Sequence, residues 1–219
     1  MEKDKMNAPS QTATPAPLSL VHYLTSTALP ENAACDFDQI DALGALGTER
    51  RRHALDVLAS GFQKRFTVEM RLRIVMLMRE MREKGRHGGA RFILDLFGKL
   101  ENNASLVARE LALQAGAEGQ PLRALELWTT NLVVHNDPLG ITHVAYMMPA
   151  LAKLEEGAPH PALVAFVDKL ARAAPIITSS EAAFKDIEPR LDRLNKALSA
   201  HGFAAEARAV GKIAIDLKL

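Results

Sequence analysis

Cysteine and tryptophan each occur once in the 219 residues, tyrosine twice, and neither sign of charge predominates. A lone cysteine closes no internal disulfide, which excludes the stapled frameworks of small secreted proteins. Aromatics at 5% are too sparse for an all-β sandwich, whose strands want aromatic and β-branched residues. No apolar run approaches the ~20 residues needed to span a bilayer. The seven histidines, His22, His53, His87, His135, His143, His160 and His201, form no HExxH or Cys/His cluster, so no metal site is expected. GxSxG, Walker A and dinucleotide fingerprints are missing too, and the sequence implies neither a cofactor nor a catalytic residue. His135, Asp137 and His143 lie close around one helix–helix turn, where capping by Asp137 accounts for the spacing. Cys35, beside Asp36, reads as a packed or half-exposed structural thiol.

What the chain has is alanine, 35 of them, within a composition that is 48% hydrophobic. That balance favours helices, and the length fits one domain. Residues Met6 to Pro30 carry no formal charge, and eleven of these 25 are Ser, Thr or Pro. Such a segment cannot bury enough apolar area to offset its ordering entropy, so residues 1–17 are expected to form a disordered tail and 18–219 a single helical domain. Pro9, Pro15 and Pro17 interrupt any signal-peptide core, so a cytoplasmic location is expected.

From residue 36 the chain reads as helix after helix, about nine in all. Asp36 and Thr48 are N-cap candidates, and Thr67 opens a stripe of Met70, Ile74, Leu77, Met78 and Met81 at i, i+4, i+7, i+8 and i+11. Asn103 caps the next helix but one, Pro121 suits a first turn, and Thr178 with Glu181 forms a capping-box pattern. Pro149 and Pro189 fall inside helical patterns and predict kinks. The expected core includes Leu58, Ile74, Leu77, Leu94, Leu111, Leu125, Trp128, Leu132, Val164, Phe166 and Leu194.

Four glycines are each followed five residues later by an alanine that starts an apolar helix: Gly85/Ala90, Gly119/Ala124, Gly157/Ala162 and Gly202/Ala207. Asn103, Pro138 and Pro175 close the first three segments. Residues 104–175 resemble a tetratricopeptide repeat. Leu111 and Ala112 match its first helix, Gly119 the turn, Ala124 the small crossing position and Trp128 the aromatic behind it; Ala150, Gly157, Ala162 and Phe166 repeat the pattern. Asn131 and Lys169 stand where that family prefers small residues. The resemblance implies antiparallel helix pairs stacked as a short solenoid or compact bundle, with a groove for a protein segment and no chemistry of its own.

Charge is segregated along the chain. Residues 1–48 hold two Lys/Arg against six Asp/Glu, residues 49–100 thirteen against six, and residues 101–219 twelve against fourteen. The basic section is either a solvated surface paired to nearby acids or a patch for an acidic partner: a protein helix, a membrane surface or nucleic acid. Arg79, Arg82 and Arg86 are spaced to share a helical face. Gly88 and Gly89, with Arg86, His87 and Arg91 around them, precede a helix whose free amides make it a candidate anion site. Phe62, Phe66, Phe92 and Phe97 sit in apolar contexts that suit core packing better than base stacking, so nucleic acid is an unfavoured partner. The function expected is therefore a non-enzymatic protein–protein interaction module: an adaptor, chaperone-like groove or regulatory binder. The alternative is an exported effector, because the amino-terminal composition resembles the export signals of type III secretion substrates.

Overall fold

The computed structural model describes residues 16–30, 32–154, 159–179 and 181–218, with backbone alone at 181–184. Eleven α-helices occur among them: α1 (Leu20–Thr25), α2 (Phe37–Gly44), α3 (Thr48–Gln63), α4 (Val68–Glu83), α5 (His87–Leu100), α6 (Ala104–Ala117), α7 (Pro121–His135), α8 (Leu139–Leu151), α9 (Pro161–Ile177), α10 (Glu181–Ala200) and α11 (Ala204–Asp216). The fold class is all-α. The one β feature among the described residues is an isolated bridge between Leu18 and Cys35. Most of the expected amino-terminal tail, and Gly157 of the repeat pattern, lie outside the described residues.

Local chemistry sets most helix ends. Asp36 accepts from the Gln39 amide at 3.1 Å and Thr67 from Met70 at 3.2 Å. Asn103 accepts from both Ser105 and Leu106. Gly85, Gly119 and Gly202 have φ of 70°, 72° and 83°. Each closes a helix by the paired bonds of a Schellman motif, seen at Arg86 N to Met81 O, Gln120 N to Ala115 O and Phe203 N to Leu198 O. The alanines five residues on, Ala90, Ala124 and Ala207, are buried. The Gly/Ala spacing thus records a left-handed helix stop followed by a small residue at a helix crossing.

Several expectations need correction. Gly47, not Thr48, is the N-cap of α3, and Thr48 makes no capping bond. Thr178 ends α9, its hydroxyl donating to Ala174 O at 2.8 Å, so it opens no capping box. Pro175 lies inside α9, as Pro149 and Pro189 lie inside α8 and α10. Leu111 and Val164 are 40% and 37% exposed, so they face outward. Helix α1 was not anticipated. Ser19 caps it, and Arg73 of α4 holds its far end by donating to Tyr23 O at 2.9 Å and Ser26 O at 2.7 Å.

The helices bury two apolar clusters. The first holds α1–α5 around Ile74, Met78, Met81, Phe92, Ile93 and Phe97. The second holds α7–α11 around Trp128, Leu132, Val144, Phe166, Leu191 and Val210. Helix α6 serves both, packing Leu106 and Val107 on the first and Ala112 and Leu113 on the second. Three-residue connections make α6/α7 and α10/α11 antiparallel neighbours, while α8 lies against α7 and α10, and α9 against α7 and α11.

Close approach of α2 to α5 depends on two glycines. A Cβ on Gly44 would lie 2.7 Å from Gly88 O and 3.0 Å from Gly88 C, and one on Gly89 would collide with Met81 Cε and Asp41 Oδ1. At Gly88 itself the space is open. Gly44→Ala is expected to cost about 1–3 kcal/mol, because backbone must move. Gly88→Ala is expected to stabilise by up to about 1 kcal/mol through helix propensity. Chemical denaturation of the two variants reads both signs.

Candidate functional site

Helical spacing on α4 and its turn does not keep the arginines together. Arg79 is exposed and bonded to Glu83 one turn on, at 2.8 Å. Arg82 turns inward and lies 2.9 Å from Glu110 of α6, each side chain only 10% exposed. Arg86 is past the Schellman turn, where the chain has left the α4 axis. Its guanidinium donates to Asp38 and Asp41 of α2, both at 2.7 Å, and sits 5.7 Å from the Phe37 ring centre. The three therefore serve three different contacts.

The α5 amino terminus has its own partners. Gly88 and Gly89 are in the first turn, with Asp41 Oδ1 against Gly89. His87 O accepts from Gln114 Nε2 at 3.2 Å. Arg91 chelates Glu118 through Nε at 3.0 Å and through Nη2, while Gln114 donates to Glu118 at 2.9 Å. Burial pushes the Glu118 carboxyl up, but the bonds from Arg91 and Gln114 outweigh it and hold the group below the usual carboxylate range. The Arg91 guanidinium is thus already paired with a carboxylate of the chain itself. Around this junction Arg82 Nη1, His87 Nδ1 and Gln114 Oε1 are buried without a hydrogen-bond partner among the described residues.

A groove opens beside the junction, between α4, α6 and α8. Arg79, Arg82, Glu83, Leu113, Ala117 and His143 line about 450 Å³ of it. Its α8 wall is fixed from behind: the His143 ring stacks on Trp128 with centroids 4.5 Å apart and planes 4° from parallel. Tyr146, one turn along α8, is edge-on to His143 and 64% exposed. Arg193 lies over the Tyr146 ring and donates to its hydroxyl at 2.7 Å. Neither His143 nor Leu113 was singled out as a groove residue from sequence, since nothing in the spacing links α4 to α8.

Asp137 does more than cap. It accepts from the Leu139 amide at 3.0 Å, Asn131 Nδ2 at 2.7 Å, Ser105 Oγ at 3.2 Å and Arg109. Burial acts against the carboxylate, yet these donors hold its pKa below the ordinary value. Asn131, a departure from the repeat pattern, is fully buried as one of those donors. Burial also holds the His143 imidazole below its ordinary value; Asp137 opposes this, while Arg190 and Arg109 add to it. Cys35 is 6% exposed, and burial pushes its thiol up to about 12, so it is a packed group rather than a nucleophile.

Among the described residues no group of three or more His, Cys, Asp or Glu is placed to hold a metal ion. No described helix is long and apolar enough to cross a membrane. No family model matches the sequence, and neither a curated protein nor a solved structure shows significant similarity to it.

Two outcomes test the geometry. Arg82→Ala strands a buried carboxylate and is expected to cost about 3–5 kcal/mol, whereas the Arg82→Met/Glu110→Leu pair recovers most of it. Arg79→Ala, at an exposed pair, is expected to change stability by less than ~0.5 kcal/mol. For His143 the folded imidazole binds its proton more weakly than the unfolded one. Its contribution therefore lowers stability as pH falls from the ordinary value, 6.5, through the folded one. NMR titration is expected to give a midpoint below 6.5 that moves back toward it in Trp128→Ala, which opens the site to water.

Proposed function

We propose that the protein is a non-enzymatic interaction module that holds a segment of another protein in the α4/α6/α8 groove. The observation that supports this most directly is the groove's construction. Leu113, Ala117 and the His143 ring form an apolar floor, and Arg79, its side chain 76% exposed, stands at the rim. An exposed guanidinium whose bond is to a solvated glutamate on its own helix exchanges that partner at little cost. The segment that fits has an apolar side chain for the floor and an adjacent carboxylate for Arg79. A volume of about 450 Å³ suits one or two side chains, and the open side leaves room for the rest of a chain.

Only Arg79 of the three arginines first considered is a clean probe, because Arg82 and Arg86 hold helices together. Affinity capture from the native cell compares wild type with Arg79→Glu, with Ala117→Trp, which fills the floor, and with Arg52→Glu on α3 as control. A partner retained by wild type and control, but reduced at least about tenfold by both groove variants, is the expected outcome. A partner list unchanged by either groove variant overturns the proposal.

A further inference from the structure

Helix α4 carries its core residues on one face and an unusual row on the opposite one. Val68, Leu72 and Met76 are 66%, 57% and 64% exposed, while Met70, Ile74, Leu77, Met78 and Met81 are buried. Leu72 and Met76 belong to a longer outward row, Glu69, Leu72, Met76, Arg79 and Glu83, whose spacings of 3, 4, 3 and 4 residues are those of a helix–helix seam. The polar members are open as well, with Glu69, Arg79 and Glu83 side chains 63%, 76% and 61% exposed.

We infer that this face of α4 is a self-association surface, pairing antiparallel with α4 of a second copy about a two-fold axis near Ile74. The charges select both the occupant and its direction. In an antiparallel seam, Leu72 meets Met76 of the second copy and Met76 meets its Leu72. In the same register Glu69 meets Arg79, and by symmetry Arg79 meets Glu69. The row is thus complementary to itself, with two apolar layers at the centre and an ion pair at each end. A parallel pairing in register would set Arg79 against Arg79 and Glu69 against Glu69, which like-charge repulsion disfavours. Arg73 is turned toward Tyr23 O and Ser26 O and also pairs with Glu69, as Arg79 pairs with Glu83, so in the seam each exposed charge exchanges a partner on its own helix for one on the second copy. One crossing of two 16-residue helices is small beside permanent dimer interfaces, so the association is expected on the order of micromolar. Arg79 and Glu83 belong to both the seam and the α4/α6/α8 groove, whereas Leu72 and Met76 do not line the groove; Leu72→Glu and Met76→Glu therefore test this inference separately from the function proposed there.

Analytical ultracentrifugation of the full chain across a concentration series tests it. Wild type is expected to move from the 23.9 kDa monomer toward twice that mass. Leu72→Glu and Met76→Glu, at exposed positions, are each expected to remain monomeric with unchanged circular dichroism and Tm. Glu69→Lys and Arg79→Glu each create two like-charge contacts and are expected to weaken the dimer about tenfold, while the combined swap restores it. A wild-type monomer at every concentration overturns the inference. So does a dimer indifferent to Leu72→Glu, and a failed rescue by the swap overturns the antiparallel register.

Discussion

Between the two apolar clusters runs a polar contact that ties α4 and α5 to α6, the helix shared by both. Arg82 of α4 meets Glu110 of α6 with both side chains nearly withdrawn from water. Gln114 reaches from α6 to His87 O and to Glu118, which in turn grips Arg91 of α5. Two apolar surfaces alone could slide over one another by a helical turn at modest cost. A buried ion pair cannot, because any shift strands a charge away from water. The same contact fixes α4 against α6, and so sets the width of the groove that Arg79 and Leu113 share. It also leaves the outward face of α4 free of the fold's own demands.

The basic section owes its character in the folded protein to its partners. Of its thirteen cations, ten lie in ion pairs: Arg51, Arg52, Arg71, Arg73, Arg79, Arg82, Lys84, Arg86, Arg91 and Lys99. Arg86 takes its carboxylates from the acidic amino-terminal region, and Arg71, Arg82 and Arg91 take theirs from α6 and the residues flanking it. Six of the ten, Arg51, Arg71, Arg82, Arg86, Arg91 and Lys99, thereby join neighbouring helices, and the other four pair along their own helix. Arg79 remains exposed with a solvated partner, which is why it alone of the candidate arginines can serve an outside ligand.

A second network steadies the other wall of the groove. Asp137 gathers Arg109, Ser105, Asn131 and the Leu139 amide, tying the α7–α8 turn to α6. With that turn set, Trp128 of α7 lies flat against His143 of α8. Burial holds the imidazole pKa below its ordinary value, which favours the uncharged ring in the groove lining beside Arg79. Ion pairs across both helix boundaries and one aromatic stack thus define a single concave surface.

The sequence by itself determined the helices from α2 onward, because their signals are local, while α1 depends on Arg73 of α4 holding its far end. The apolar stripe of α4, the caps at Asp36, Thr67 and Asn103, and the glycine stops at 85, 119 and 202 each act within a few residues. It missed where signals compete over the same short range, as with Gly47 ahead of Thr48, or Pro175 carried inside α9. Site residues were legible as residue types but not as a constellation. Arg79 and Arg82 differ by one turn in sequence, yet their depths differ because α6 covers one side of α4 and leaves the other open. Leu111 met the same fate, matching a repeat pattern while α6 turned it outward. Only the tertiary structure decided which charges face each other, since an ion pair is chosen by distance in space and helix spacing constrains that distance within one helix only.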